Sequence, residues 1–262
     1  MGDRITITQQ DGVADLRLAR PEKMNALDPA MFDALVETAA QLDADRSVRC
    51  VVLSGEGASF CAGLDMASFQ QFAAGERLDL ATRTHGDANL VQQSALAWRR
   101  IRPPVIAAVH GAALGGGFQI IMGADIRIIH PEAKLSILEV KWGIAPDLGG
   151  TTLFTNVARE DVVRELTYTG RFFSGAEAAE YGFATRLSET PHEAAMTLAR
   201  EIAAKSPDAV QTSKRLFNAW MDAGAAAQLA LESELQETLI GTPNQIEAVM
   251  SGLQKRAAQF KD

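Results

Sequence analysis

The sequence is short of several things that mark whole classes of protein. It has two cysteines in 262 residues, Cys50 and Cys61, and their spacing makes neither a disulfide framework nor a zinc site. They read as small buried thiols of a reducing compartment. Positive charge is scarce too: 25 lysines and arginines against 33 aspartates and glutamates leave a net charge of −8. A nucleic-acid surface needs a dominant basic patch, so no nucleic-acid partner is expected. No apolar run is long enough to span a bilayer, so no membrane partner is expected either. The start, Met1-Gly-Asp-Arg4, has no apolar signal core, and a cytoplasmic location is the expectation.

Familiar catalytic signatures are missing as well. The histidines (His85, His110, His130, His192) lack metal-ligand spacing, so no metal is expected, and His110 at the end of an apolar strand reads as structural. No Gly-x-Ser-x-Gly occurs, which removes the serine-hydrolase elbow. Val51-Val-Leu-Ser-Gly55-Glu-Gly57 begins like a dinucleotide fingerprint, but Phe60 stands where the third glycine belongs. The triple glycine at 115–117 is not followed by Lys-Ser/Thr, so it is not a P-loop.

What is present is a chain with room for a full core, alternating strands and helices in its first part. Arg4–Thr8 and Val13–Leu18 alternate with period two and read as paired strands joined at Asp11-Gly12. Asp28-Pro29 caps a helix running to Asp43. Val48–Ser54 and Pro104–Val109 read as buried strands, Asp125–His130 and Lys134–Ile137 as further strands. A polar, mobile-looking segment covers about Gln70–Asp87, and a helix covers Ala88–Ile101. From Thr190 onward the pattern is helical: His192–Lys205, Asp208–Met221, Ala225–Ile240 and Asn244–Phe260. The organisation expected is an α/β core over 1–190 and a helical region over 191–262. That region either folds back on its own core or packs against a sister subunit, and the pattern does not choose.

Three stretches carry chemistry. Gly111-Ala-Ala-Leu-Gly-Gly-Gly-Phe-Gln119 follows a buried strand and opens a helix, so bare N–H groups and the positive end of a helix dipole meet there. That arrangement suits an anion, or an oxygen that becomes one during a reaction. Ser59-Phe-Cys-Ala-Gly-Leu-Asp65 is a second glycine turn after a buried strand, which either supplies a partner N–H or is an unrelated tight turn. Glu139 and Asp147 lie in an apolar, Gly/Pro-rich stretch, and apolar surroundings raise a carboxyl pKa toward the range useful for proton transfer. The plainer roles are an N-cap for Asp147 and a strand-end surface position for Glu139.

Together these segments resemble the crotonase (enoyl-CoA hydratase/isomerase) superfamily over nearly the whole chain. The resemblance is carried by Arg20-Pro-Glu-Lys-Met-Asn-Ala-Leu27, the 59–65 turn and Pro104–Gly117. Ala124-Asp-Ile-Arg127, the Glu139–Gly150 block and Gln254-Lys-Arg-Ala-Ala-Gln-Phe260 follow in order. It implies an α/β spiral of ββα units with a C-terminal helical region that builds homotrimers or hexamers. It implies an acyl-CoA substrate and no cofactor, coenzyme A being part of the substrate. By position, the Ala62 and Gly116 N–H groups would form an oxyanion hole around the thioester oxygen. Lys23, Met24, Ala26, Ala62, Gly63, Leu64, Asp65, Met66 and Lys255 would contact CoA.

Two-base hydratases of this family carry glutamates at the positions of Gln119 and Glu139. Glutamine can hold a water but cannot take its proton. An acid at the Asp147 position resembles the dienoyl-CoA isomerases. Double-bond isomerisation through Glu139 and Asp147 is therefore the favoured expectation. Hydration of 2-enoyl-CoA and a catalytically silent acyl-CoA-binding homologue are the alternatives. A dehalogenase would have tryptophan at the Glu139 position and histidine near Gln92, and this chain has neither.

Overall fold

A computed structural model describes residues 4–68, 79–205, 207–221, 230, 233–234, 236–238 and 240–256. Strands β1 (Ile5–Gln10), β2 (Val13–Leu18), β3 (Cys50–Gly55), β4 (Val105–Val109), β5 (Ala112–Leu114), β6 (Ile126–Ile129), β7 (Lys134–Ser136), β8 (Phe173–Ser174) and β9 (Arg186–Leu187) form two sheets. The larger has the order β1-β2-β3-β4-β6-β9, and the smaller β5-β7-β8. The first hairpin turns at Asp11 (φ 53°) and Gly12 (φ 81°). Positive φ at both turn positions matches the twist of a two-residue hairpin, which is why Asp-Gly marks it in the sequence. From β2 onward the large sheet is parallel. Its central strands are buried on both faces, as covered parallel sheets require.

Period-two alternation divides those strands between two cores. Leu16, Leu18, Val51, Leu53, Val105, Ala107 and Val109 face the main cluster. Val13, Cys50, Val52, Ile106, Ala108 and Ile128 face the other way, against Ala195, Leu198, Ala199 and Ala203 of helix α7 (Pro191–Ala203). The first helix of the C-terminal region thus covers the second face of the sheet.

The helices before α7 are α1 (Pro29–Ala44), α2 (Leu90–Arg100), α3 (Gly116–Gly123), α4 (Gly150–Phe154), α5 (Glu160–Thr169) and α6 (Gly175–Tyr181). Asp28 caps α1 by accepting the Met31 N–H, and Asn89 and Gln92 form a reciprocal capping box on α2. Every residue of α3 is buried, Gln119 included. The helix lies tight on α2: a Cβ added at Gly123 would stand 2.1 Å from the Ala95 carbonyl oxygen. Its Phe118 ring packs on Phe154, Phe173 and Phe183, with centroids 5.7, 5.5 and 5.2 Å away. After α7 come α8 (Pro207–Met221) and α9 (Pro243–Gln254).

The structure differs from the periodicity in three places. The first residues of the glycine stretch form β5 rather than a turn, because β7 lies alongside in parallel register, Ala112 opposite Lys134. Strands β8 and β9, of two residues each, are too short to be read from the chain, and helices α5 and α6 add to the expected elements. The mobile-looking segment lies outside the described residues over 70–78, as do 225–229, 231, 232, 235 and 239 of the third tail helix and 257–260 of the fourth.

Phe118 is the test of this packing. Phe118→Ala should lower unfolding stability by about 3–5 kcal/mol in a denaturant titration, the usual cost of an emptied aromatic core site. A loss below about 1 kcal/mol would mean that the four rings do not share one core.

Candidate active site

The two glycine turns meet because β4 and the chain after β3 run side by side. The Phe60 N–H donates to the His110 carbonyl (3.0 Å), the Cys61 N–H to that of Ala112 (2.9 Å), and the Leu114 N–H to that of Cys61 (3.0 Å). Side chains would block this approach. A Cβ at Gly117 would lie 2.5 Å from the Cys61 carbonyl oxygen, and one at Gly63 would lie 2.7 Å from that of Leu114 and 3.7 Å from the Gly116 nitrogen. His110 is structural here, its Nε2 2.9 Å from the Gly57 carbonyl oxygen. The Cys50 and Cys61 thiols are free and buried, and burial pushes both up to about 12, so neither is a nucleophile.

The N–H groups divide cleanly. Gly115 (φ 50°) donates to the Ser136 carbonyl (3.0 Å) and begins α3. Gly116, Gly117 and Phe118 form the first helical turn, where no intrahelical acceptor exists and the dipole is positive. Across from them, the Ala62 N–H donates to the Met24 carbonyl and the Asp65 N–H to that of Leu27, both at 2.9 Å. Ala62, expected as an oxyanion donor, is thus engaged with the 24–27 loop. Leu64 lies in a parallel bridge with Leu27 made by its neighbours' groups. Among the described residues, no bond from its own N–H accompanies those of Ala62 and Asp65.

The 20–27 loop is bolted beneath this turn by residues that the sequence left unremarked. Met24 and Asn25 are both left-handed, at φ 49° and 55°. The buried Asn25 Nδ2 donates to the carbonyls of Glu56 (3.0 Å), Ser59 (2.9 Å) and Phe60 (3.1 Å), and its Oδ1 accepts the Arg20 N–H (2.8 Å). The Arg20 Nη1 pairs with Asp65 (2.6 Å), donates to the Ala26 carbonyl (3.1 Å) and lies 3.6 Å from Asp28. Asp65, expected against CoA, is therefore tied to Arg20. Burial alone would raise the carboxyls of Asp28 and Asp65. Arg4, the Met31 N–H and Arg20 around Asp28 hold it below the usual range, and the Ala67 N–H, Arg20 and Lys23 do the same for Asp65. Lys23, Met24 and Met66 are exposed on the outer side of the two turns, Leu64 is half-buried and Ala26 is buried. Lys255 is exposed at the end of α9, left-handed at φ 52°. The one signal for Asn25 and Arg20 was their place inside the 20–27 motif.

Glu139 opens a 3-10 turn, Glu139–Trp142, and is 5% exposed. Its carboxylate lies on the glycine stretch, since a Cβ at Gly115 would be 3.4 Å from Oε1. Gln119, with no exposed surface, donates from Nε2 to Glu139 Oε1 at 2.6 Å. Its Oε1 accepts the N–H groups of Leu148 and Gly150, each at 3.0 Å. Those two donors fix which way the amide points. Asp147, half-buried, lies in the loop before α4. It is not that helix's cap: the N-cap is Gly149 at φ 80°, with no side-chain cap. Structure therefore brings together Gly116, Leu64, Gln119, Glu139 and the loop of Asp147. Among the described residues, no group of three potential metal ligands exists and no helix is long and apolar enough to cross a membrane.

The chain is similar to known proteins over nearly its whole length. The family model described as enoyl-CoA hydratase/isomerase matches residues 8–262. The chain is 32% identical to the 1,2-epoxyphenylacetyl-CoA isomerase of Escherichia coli (strain K12), over 96% of this chain and 95% of that one. It is 30% identical to the mitochondrial Delta(3,5)-Delta(2,4)-dienoyl-CoA isomerase of Mus musculus, over 94% and 78%. A crystal structure of an enoyl-CoA hydratase/isomerase from Mycobacterium paratuberculosis superposes with a TM-score of 0.87 at 25% identity, over 96% and 99%.

The ion-pair knot around Arg20 makes stability depend on pH. Asp28 and Asp65 titrate lower folded than unfolded, so their contribution is present above the ordinary carboxylate pKa and is lost as pH falls through the lowered folded value. Arg20→Met should cost about 3 kcal/mol near pH 7 in urea unfolding. The gap from the parent should shrink below about pH 4. A gap that stays constant down to pH 3 would mean the knot contributes packing only.

Proposed function

The chain belongs to the enoyl-CoA hydratase/isomerase family of the crotonase superfamily, and we propose that within it this enzyme moves a carbon–carbon double bond of an enoyl- or dienoyl-CoA thioester. The observation that carries the reading is the Gln119 amide, which donates to Glu139 and accepts from Leu148 and Gly150. Two-base hydration needs a second carboxylate to take the proton of water, and an amide has no such capacity. Glu139 is left as the buried base beside the glycine donors.

The thioester oxygen is taken between the N–H groups of Gly116 and Leu64, replacing the pairing of Gly116 with Ala62, whose N–H is held by Met24. Glu139 removes an allylic proton. The C–H electron pair passes into a conjugated enolate, with its charge on the thioester oxygen. One such donor lowers the barrier by about 3–4 kcal/mol. Protonation at a different carbon, by Glu139 or by Asp147, collapses the enolate and leaves an isomer of unchanged mass. Two isomerases of 32% and 30% identity support the choice of reaction class. In this reading Lys23, Met24, Ala26, Ala62, Gly63, Leu64, Asp65, Met66 and Lys255 line the path of the CoA moiety, Asp65 through its anchored turn. The C-terminal helices build a homotrimer or hexamer, and the protein serves fatty-acid metabolism in the cytoplasm.

Incubation with 2-enoyl-, 3-enoyl- and 3,5-dienoyl-CoA, read by mass and ultraviolet spectrum, tests the reading. The expectation is a shifted chromophore at constant mass with the 3-enoyl or 3,5-dienoyl substrate. Glu139→Gln should lower kcat by about 10²- to 10⁴-fold and keep acyl-CoA affinity. A gain of one water with 2-enoyl-CoA as the main reaction would establish a hydratase instead, and no turnover of any acyl-CoA would leave a silent binding homologue.

A further inference from the structure

The loop that carries Asp147 is held from two sides by amide side chains. It runs between two left-handed glycines, Gly143 (φ 71°) and Gly149 (φ 80°), and contains Pro146, which has no N–H. An irregular segment of this kind has no ladder of its own, so its few N–H groups need side-chain acceptors to hold one conformation. From inside, Gln119 takes the N–H groups of Leu148 and Gly150. From outside, the Oε1 of Gln236 takes the Ala145 N–H at 3.0 Å. Gln236 is 3% exposed and belongs to the C-terminal helical region. Asp147 therefore stands between two anchors, two residues after one and one residue before the other.

The same region grips the other end of the stretch. Gln245 Nε2 donates to the Trp142 carbonyl at 3.3 Å, and a Cβ at Gly252 would lie 3.2 Å from the Trp142 ring. The turn that begins with Glu139 and the loop that carries Asp147 thus rest on the tail of their own chain.

We propose that Gln236 is a positioning residue for the reaction: it acts in cis from the tail, through the Ala145 N–H, to hold the Asp147 loop in register with Glu139. This rests on the isomerase reading above. The C-terminal region then has a part in catalysis that is separate from any part in assembly. A displacement of about 1 Å in a reacting group can cost up to roughly 100-fold in rate, and a lost anchor two residues from Asp147 permits a shift of that size.

The test pairs hydrogen exchange over residues 143–150 with steady-state kinetics on 3-enoyl- and 3,5-dienoyl-CoA. Gln236→Met keeps length and removes the acceptor, whereas Gln236→Glu keeps an acceptor oxygen. The Met variant should exchange the Ala145 amide at least about tenfold faster and lose roughly 10- to 100-fold in kcat, with KM within about twofold and an unchanged oligomer mass. The Glu variant should recover most of kcat. Gln236→Ser, which removes reach without adding bulk, supplies the same split if the Met variant does not fold. Unchanged exchange, faster exchange with unchanged kcat, or a Glu variant no better than Met would each overturn the proposal. A parent protein without isomerase activity would overturn the reaction reading and the catalytic role of Gln236 together, and exchange would still decide whether Gln236 holds the loop.

Discussion

Backbone must touch backbone at this site, and the rest of the structure depends on that contact. The turn at 61–65 and the start of α3 approach so closely that no Cβ fits at Gly63 or Gly117. Nearby, a Cβ at Gly111 would stand 1.9 Å from the Ala58 carbonyl oxygen. These glycines are absences that let the two turns, with their main-chain N–H donors, come into backbone contact. Buried β3 and β4 bring the turns together, α2 and the phenylalanine cluster hold α3 in place, and Asn25 with Arg20 closes the far side. Since the donors belong to the main chain, side-chain substitution reaches them only through distortion.

Electrostatics at the site is set by one neutral amide. A glutamate at 119 would place a second negative charge against Glu139, and two carboxylates at that distance share a proton. Gln119 donates instead, which gives the buried Glu139 carboxyl a hydrogen bond in place of a second carboxyl. The same side chain accepts two N–H groups from the loop of Asp147, so one amide joins Glu139, α3 and that loop. A like division of labour appears at the rim, where Arg20 neutralises Asp65 and leaves Lys23 exposed.

Much of the fold was legible. Asp11-Gly12, Asp28-Pro29 and the alternation of β1 to β4 encode their own geometry within a few residues, and each formed as expected. The short elements between Gly150 and Thr190 were not legible, because two-residue strands carry no period and form only where β6 and β7 offer an edge. At the site, Gly116, Gln119 and Glu139 were visible as residue types in order. Asn25, Arg20 and Gln236 were not, since a lone amide or a lone guanidinium looks the same whether it faces solvent or bolts a turn.

By itself the chain determined the family resemblance, the glycine-rich turns and the amide at position 119, because these depend on residue identity: a glycine lacks Cβ and a glutamine lacks a basic oxygen wherever it is placed. Only the tertiary structure decided which N–H groups of the 61–65 turn are taken up by the 24–27 loop. Ala62 and Leu64 differ by two residues, yet the first bonds Met24 and the second does not, because the turn at Gly63 (φ 86°) reverses the alternation of the strand. It also decided that the C-terminal region reaches back to Trp142 and Ala145 of its own chain. Direction and long-range contact are properties of packed backbones, and no local pattern of residue types carries them.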